Sequence, residues 1–357
     1  MIILFRKIAL FLSLLFIFPV TVYGADNSAS SAVVLDADTG IILYEKNAYE
    51  NRSMASTTKI MTCLLAIESG KLDKKVKITK EMLQTEGSSL GLRAGDTITL
   101  IDLITGMMLT SGNDSANAVA FYLSGSIENF AQLMNTRASQ IGMKSTVFVT
   151  PSGLDEGEHH STAYDMALLA AQAVMVDTFC DIVSKKSAVI KINDEELTVY
   201  NHNKLLNIDE NYFGIKTGYT QKAGRCLVSA KKYNGNKLIC VTLNAPDDWN
   251  DHISLYKECE KRYNKVEVKE SLQLNVVGGD KDTIKCSFSK TYYLLDSIEL
   301  KIYIKPFDYA PVSKGSKVGD VYVYYNKKLL ERLPIEADED VKYYAEQERS
   351  TTAEIHG

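Results

Sequence analysis

Residues 54–61 read MASTTKIM and place Ser56 and Lys59 three positions apart, where an apolar helical stretch begins. A serine at a helix start lies in the positive field of the helix N-terminus, and a lysine one turn later shares its face. Such a lysine acts as a base only when it is neutral, which requires burial or a neighbouring cation. The pair is therefore a candidate nucleophile and base, and an ordinary capped helix start is the alternative.

The Ser-x-x-Lys spacing alone does not separate these alternatives. The same spacing recurs at Ser229, Ser254 and Ser287, each of which has a lysine three residues later. What distinguishes the first instance is that two further short motifs follow it, Ser-Gly-Asn at 111–113 and Lys-Thr-Gly at 216–218. The second lysine supplies the neighbouring cation that would lower the pKa of the first.

The composition indicates a folded chain that does not bind nucleic acid. Its 357 residues suggest about two domains, and 45% of them are hydrophobic and 24% charged, which is typical of a chain with a packed core. The formal net charge is −5, and no run of basic residues alternates with aromatics. Nucleic acid is therefore not an expected partner.

The cysteines and histidines do not have the spacing of a metal site. The six cysteines are dispersed along the chain, and Cys63, Cys226 and Cys240 lie in apolar segments, which favours buried thiols over disulfides. The five histidines form no HExxH motif. We therefore expect no metal.

The N-terminus has the pattern of a signal peptide. Residues 1–25 combine two positive charges with an unbroken apolar stretch closed by small residues, which allows cleavage after Gly24 or Ala25. An uncleaved membrane anchor is the alternative, although the stretch is short for a span and contains Pro19. Either alternative predicts an exported protein that acts outside the cytoplasm, in the cell wall or on the outer face of the membrane.

Hydrophobic periodicity divides the remaining chain into a larger domain at residues 26–264, a β-rich domain at 265–338 and a polar tail at 339–357. In the larger domain the Asn234-Gly235 dipeptide indicates a tight hairpin. The pattern predicts a strand pair within 31–47, helices within 57–67, 96–125, 161–175 and 251–266, and hairpin strands within 223–233 and 236–245.

The three motifs match, in order, a signature known for penicillin-binding proteins and class A β-lactamases, with Ser-Gly-Asn here in place of Ser-Asp-Asn. The stretches ASTTKIMT, TSGNDSANAVA, HHSTAYDMALLA and GIKTGYTQKAGRCLVSA resemble the low-molecular-mass penicillin-binding proteins that are serine-type D-alanyl-D-alanine carboxypeptidases, over about residues 32–335. The resemblance implies a penicillin-binding/β-lactamase-like α/β catalytic domain, with an antiparallel sheet flanked by helices plus an all-α subdomain. The β-rich domain follows it.

The resemblance also implies a role for each motif residue. Ser56 would attack the carbonyl of the penultimate D-alanine of a peptidoglycan stem peptide, and Lys59 would accept its proton. Ser111 would relay a proton to the leaving amine. Asn113 would bind a substrate amide and orient Lys59. D-Alanine would leave, and water would hydrolyse the acyl-enzyme without a cofactor.

The third motif would hold the substrate. Lys216 and Thr217 would meet its terminal carboxylate, and Gly218 would let its backbone approach an edge strand. The backbone N–H of Tyr219, with that of Ser56, would form the oxyanion hole. β-Lactam antibiotics would be covalent inhibitors.

Departures from the family pattern leave some alternatives open. An arginine that some relatives carry after the second hairpin strand is missing, so Arg225 or Trp249 are candidates to assist the carboxylate contact. His160 and Asp165 are expected as structural supports. The C-terminus lacks an amphipathic membrane-binding helix, so association with a membrane surface stays open. The alternative functions are a β-lactamase and a non-catalytic penicillin-sensing or wall-binding module.

Overall fold

The computed structural model describes residues 2–6, 26–295, 297–325 and 327–344. The chain forms two compact units, Val22–Arg262 and a second that combines Tyr263–Gly357 with Met1–Thr21. Of the predicted signal peptide, only Ile2–Arg6 is described, as strand β1 of the second unit. The rest of that prediction lies outside the described residues.

The larger unit combines two antiparallel sheets with helices. Its strands are β2 (Ser31–Asp36), β3 (Ile42–Lys46), β4 (Lys75–Lys77), β5 (Thr97–Thr99), β6 (Ser187–Ile192), β7 (Glu195–Tyr200), β8 (Tyr212–Thr220), β9 (Gly224–Tyr233) and β10 (Asn236–Leu243). Its α-helices are α1 (Lys59–Glu68), α2 (Leu100–Thr110), α3 (Asn113–Ser124), α4 (Ile127–Ile141), α5 (Ala163–Ala173), α6 (Asp177–Val183) and α7 (Asp248–Glu260).

The main sheet has the strand order β3-β2-β10-β9-β8, and all its neighbours pair antiparallel. The predicted hairpin is confirmed, since Asn234 and Gly235 join β9 to β10 with φ of 48° and 89°. Two positive φ values at the turn match the right-handed twist of the strands. Strand β8, which carries the Lys-Thr-Gly motif, lies at the edge of this sheet.

The predicted helices are present as α1, α2, α3, α5 and α7, and the apolar faces of the first four belong to one continuous core. The helices α4 and α6 and the four-stranded sheet β4-β5-β6-β7 were not predicted. Strands β4 and β5 have three residues each, and most residues of β7 are exposed, so no alternating apolar pattern marks this sheet.

No single helix in the described residues is long and apolar enough to cross a membrane. Helices α5 and α6 pass that test only together, and the chain bends by 110° between them.

The second unit is β-rich, as predicted. Its strands after β1 are β11 (Asn264–Val277), β12 (Thr283–Leu294), β13 (Ile298–Ile304), β14 (Phe307–Tyr309), β15 (Lys317–Tyr325) and β16 (Lys328–Ala337). They form a sheet in the order β1-β13-β15-β16-β12-β11-β14. The alternating burial along β11 and β15 places every second side chain in a separate apolar core.

The polar tail is predicted to start at residue 339, but the β-rich unit extends beyond this position. Val341 is 1% exposed and pairs with Val312, and Tyr343 pairs with Gly279. The chain therefore stays attached to the β-rich unit through Tyr344, because one apolar residue in a polar stretch anchors it. The tail residues from 345 onward lie outside the described residues.

All six cysteines are free. Cys63, Cys226 and Cys240 are buried, which confirms the prediction of buried thiols.

Candidate active site

Ser56 lies in a short 3₁₀ turn, Ala55–Thr58, that leads directly into α1. Side chains of the turn fix its own backbone, since Thr57 Oγ1 donates to Met54 O at 2.6 Å and Thr58 Oγ1 donates to Ala55 O at 2.8 Å. Ala55 has φ of 48°, a left-handed conformation that is uncommon for a residue with a side chain. The turn therefore presents Ser56 from a constrained backbone.

Lys59 is fully buried at the first position of α1, and its amine has three close partners. The Nζ atom lies 2.8 Å from Ser56 Oγ, 2.8 Å from Asn113 Oδ1 and 2.7 Å from Ser152 O. The first contact brings together the serine and lysine that the sequence paired. The third partner, a backbone carbonyl 93 residues away, was not predictable from spacing.

Burial lowers the pKa of Lys59 well below its usual value, and the Lys216 cation lowers it further, against the opposing effect of Asp114. Burial also lowers the pKa of Lys216 to about 7. No carboxylate is among the three hydrogen-bond partners of the Lys59 amine. A neutral amine is thus the form that this environment favours.

The Ser-Gly-Asn motif joins α2 to α3. Ser111 caps α2 in a left-handed conformation and is 6% exposed, and Asn113 opens α3. A Cβ on Gly112 would lie 2.9 Å from the backbone nitrogen of Leu90, so only glycine fits between the two polar residues. The side chain of Asn113 bridges two parts of the site, because its Oδ1 accepts from Lys59 and its Nδ2 donates to Glu86 O at 2.6 Å.

The Lys-Thr-Gly motif runs along the edge strand β8 beside the Ser56 turn. A Cβ on Gly218 would lie 3.0 Å from Ser56 N, so the strand and the turn are in close contact. Thr217 lines the cleft in front of Ser56, and the side chain of Tyr219 is 66% exposed. Lys216 is only 2% exposed, and its Nζ donates to Thr217 O at 2.9 Å. Its predicted direct contact with a substrate carboxylate does not fit this buried position.

His159, which no sequence motif marks, supports the Ser56 turn. Val149 N–H donates to His159 Nδ1 at 2.9 Å, so the ring hydrogen is on Nε2, which lies 2.9 Å from Thr58 Oγ1. Burial lowers the pKa of His159 to about 4. His160, which is expected as a structural support, is half-buried, and its Nδ1 contacts the carbonyl of Glu158.

Asp165 is a structural support, as predicted. Its Oδ2 accepts hydrogen bonds from Ser145 N at 2.8 Å and Thr146 Oγ1 at 2.7 Å, and its own N–H is capped by Thr162.

A cleft of about 510 Å³ opens between these elements. Its lining includes predicted residues and others that belong to no sequence motif. The lining residues are Ser56, Ser88, Ser111, His202, Lys204, Thr217, Gly218, Tyr219, Arg225, Asp248 and Trp249. The candidates Arg225 and Trp249 thus both reach the cleft. In the part of the chain that the structure describes, no cluster of three or more His, Cys, Asp or Glu side chains has the arrangement of a metal site.

The arrangement is suited to acyl transfer to a serine. A nucleophile and a base lie within hydrogen-bond distance, and a third group, Asn113, orients the base. The nucleophile faces the open edge of a strand, along which an extended peptide can bind by main-chain hydrogen bonds.

Comparisons with known proteins agree with this geometry. A family model described as D-alanyl-D-alanine carboxypeptidase matches residues 19–247, and one described as the C-terminal domain of penicillin-binding protein 5 matches residues 260–343. The D-alanyl-D-alanine carboxypeptidase DacF of Bacillus subtilis is 31% identical over 338 residues, which cover 88% of this chain and 86% of that protein. DacC of Escherichia coli is 30% identical over 375 residues, with coverages of 95% and 92%.

Solved structures show the same fold. The crystal structure of the D-alanyl-D-alanine carboxypeptidase DacD from Francisella tularensis matches with a TM-score of 0.63 at 26% identity, over 89% of this chain and 95% of that one. Penicillin-binding protein 5 from Haemophilus influenzae matches with a TM-score of 0.63 at 27% identity, over 89% and 98%.

Proposed function

This chain belongs to the D-alanyl-D-alanine carboxypeptidase family, and from that premise we propose that it removes the terminal D-alanine of peptidoglycan stem peptides through an acyl-enzyme on Ser56. The family acts on D-alanyl-D-alanine termini and binds β-lactams. The observation that carries the proposal for this chain is the 2.8 Å contact between Ser56 Oγ and the buried amine of Lys59.

Lys59 is the general base in this mechanism. A neutral amine has two N–H groups and one lone pair, and Lys59 has three partners. The two N–H groups donate to Asn113 Oδ1 and Ser152 O, so the lone pair faces the hydroxyl of Ser56. As Ser56 Oγ attacks the carbonyl of the penultimate D-alanine, its proton passes to Lys59 Nζ.

The oxyanion forms where the Ser56 turn meets strand β8. The backbone N–H groups of Ser56 and Tyr219 are the proposed donors, and the close approach of Gly218 to Ser56 N supports their proximity. Each such donor typically contributes about 3 kcal/mol to transition-state stabilisation.

Ser111 is the proposed route of the proton to the leaving group. It lines the same cleft as Ser56 and ends α2 in a left-handed backbone conformation. The proton on Lys59 would pass through the Ser111 hydroxyl to the amine of the departing D-alanine. Water then attacks the acyl-enzyme carbonyl, the bond between the carbonyl carbon and Ser56 Oγ breaks, and a proton of the water returns to Ser56 Oγ through Lys59, which releases the shortened peptide.

Asn113 and the third motif hold the substrate. Asn113 has a second N–H on Nδ2 that can donate to a substrate carbonyl, while its first donates to Glu86 O. Thr217 Oγ1 is the proposed hydrogen-bond donor to the terminal carboxylate. Lys216 acts at a distance from its buried position, through its charge and through its hydrogen bond to Thr217 O.

The protein is proposed to act outside the cytoplasm, at the cell wall or the outer face of the cytoplasmic membrane. The apolar N-terminal pattern supports export, and peptidoglycan is an extracytoplasmic substrate. A role in cell shape would follow from the trimming of stem peptides there.

Mass spectrometry after brief exposure to benzylpenicillin tests the proposed nucleophile. We expect an adduct of one penicillin per chain on the peptide that contains Ser56, with no adduct on the Ser56→Ala variant. An adduct on another serine, or none on the wild type, would refute the assignment. An adduct that persists for many minutes agrees with a carboxypeptidase, whereas rapid turnover of penicillin would indicate the β-lactamase alternative.

A further inference from the structure

One wall of the cleft carries a cation to which the mechanism above gives no task. Arg225 lines the cleft together with Thr217 and Ser56. Its Nη2 donates to Asp248 Oδ1 at 2.6 Å, and the two side chains are 42% and 4% exposed. The arginine is thus open to the cleft, whereas the carboxylate that holds it is buried.

Strand pairing places Arg225 on the same side of the sheet as Thr217. Tyr219 pairs directly with Arg225 across the β8–β9 ladder, and Thr217 pairs with Leu227. Because side chains alternate along a strand, Thr217 and Tyr219 share a face with Arg225, and Thr217 is its diagonal neighbour. The same alternation turns Lys216 to the opposite face, where it is buried.

The surroundings of Arg225 fix it in place. Its carbonyl accepts a hydrogen bond from Ala245 N at 2.8 Å, which ties β9 to the corner that leads into α7. Asp248 is the first residue of α7, and the ring of Trp249 lies 5.8 Å from the guanidinium carbon. The arginine is therefore held by its backbone, by a buried carboxylate and by an aromatic ring.

The guanidinium of Arg225 keeps donors for a ligand. Arginine has five N–H donors, and one of them is used by Asp248 through Nη2. The Nε atom has no hydrogen-bond partner among the described residues, but it is buried, so a ligand in the cleft would meet the exposed part of the side chain instead. A carboxylate fits such donors best, because hydrogen bonds between two charged groups are shorter and stronger than neutral ones.

We propose that Arg225 binds the carboxylate of the terminal D-alanine together with the hydroxyl of Thr217, and that Asp248 positions Arg225 for this contact. The proposal rests on the carboxypeptidase function proposed above. Arg225 would then select substrates with a free C-terminus. A peptide with further residues after this D-alanine, or with a C-terminal amide, has no carboxylate at this position.

Lys204 is the alternative cation, because it also lines the cleft. It is an exposed side chain, however, and no hydrogen bond or ion pair with another described residue fixes its ammonium near Thr217. Lys204→Met is therefore the matched control, since it removes a cation from the same cleft.

The test compares two substrates in the full chain, diacetyl-L-Lys-D-Ala-D-Ala and the same peptide with a C-terminal amide. We expect Arg225→Gln to lower kcat/KM for the acid by about 30-fold, as expected for a lost charge-assisted hydrogen bond. Turnover of the amide should change less than about threefold, which also shows that the variant is folded. Asp248→Asn should lower the preference for the acid by a smaller factor, and Lys204→Met should leave it unchanged.

Two outcomes would overturn the proposal while the proposed function stands. One is an unchanged acid-to-amide ratio in Arg225→Gln, and the other is a loss of the preference in Lys204→Met instead. If the wild type released no D-alanine and formed no penicillin adduct on Ser56, the proposed function would fail, and the role of Arg225 with it.

Discussion

Burial, and after it the charge of Lys216, lowers the pKa of the Lys59 amine, and the two lysines are both buried on different elements of the fold. Lys59 opens helix α1, and Lys216 lies on the edge strand β8. Two buried lysines repel each other, and burial disfavours the charge on each. The destabilised ammonium is what makes a lysine usable as a base beside Ser56.

The Lys216→Met variant tests this coupling. Removal of the cation takes away one of the two causes that lower the pKa of Lys59, so that pKa should rise. Because acylation needs the neutral amine, the acid limb of its pH profile should move to higher pH. The effect should be present below about pH 7, where Lys216 keeps its proton. The measurement is the acylation rate with benzylpenicillin from pH 5 to 9. The midpoint pH of the acid limb reports the pKa of Lys59 and does not depend on the maximal rate.

Lys232→Met is the control, since it removes an exposed lysine from the neighbouring strand β9. Its acid limb should coincide with that of the wild type. A Lys216→Met limb that stays in place or moves to lower pH would rule out the coupling.

Gly218→Ala tests the close contact between β8 and the Ser56 turn. The new Cβ would lie 3.0 Å from Ser56 N and 3.1 Å from Thr57 N, so the strand must shift by a few tenths of an ångström. Acylation should fall by about 10- to 100-fold, because the oxyanion donors are displaced, while the melting temperature changes little.

Gly235→Ala should show the reverse pattern. Its Cβ meets nothing within 4 Å, but its φ of 89° is unfavourable for alanine. It should cost about 1 kcal/mol in stability and leave acylation unchanged. Equal acylation rates for the wild type and Gly218→Ala would contradict the proposed oxyanion hole.

The lowered pKa of His159 predicts that the protein loses stability in acid. Its pKa is about 4 in the folded chain against an ordinary value of 6.5, so between these values the unfolded chain binds more protons. The stability that neutral His159 contributes is therefore complete above about pH 6.5 and is lost as the pH falls towards 4. Replacement by a residue that does not titrate removes this dependence.

We expect His159→Gln to have a lower free energy of unfolding than the wild type at pH 7. This difference should be smaller by about 2 kcal/mol at pH 4.5. Urea unfolding at the two pH values measures it. His160→Gln is the comparison, because that side chain lies outside the buried contact with Thr58. If the free energies of unfolding of the wild type and His159→Gln differed by the same amount at both pH values, the buried imidazole would not support the turn.

The sequence predicted the parts of the site that depend on local spacing. Ser56 and Lys59 meet because they lie three positions apart on one helical turn, and Thr217 and Gly218 lie on one strand. The contacts between distant segments were not predictable. Asn113 with Glu86 O, Lys59 with Ser152 O and His159 with Thr58 depend on how loops fold back over α1.

A sequence motif also does not show which of its side chains are buried. The Lys-Thr-Gly motif is the same whether the side chain of Lys216 faces the cleft or the protein interior. The structure shows that Lys216 is buried and that Thr217, not Lys216, lines the cleft. Likewise, the adjacent histidines 159 and 160 are equivalent in sequence. The antiparallel bridge of His160 with Val147 decides which of them turns inward.

The most direct test of the serine carboxypeptidase assignment is the release of D-alanine from diacetyl-L-Lys-D-Ala-D-Ala by the purified full chain. We predict steady release by the wild type, and release no faster than the buffer rate by Ser56→Ala, with Lys59→Met reduced by several orders of magnitude. Equal release by the wild type and Ser56→Ala, or no release by either, would contradict the conclusion that this cleft is a serine carboxypeptidase site.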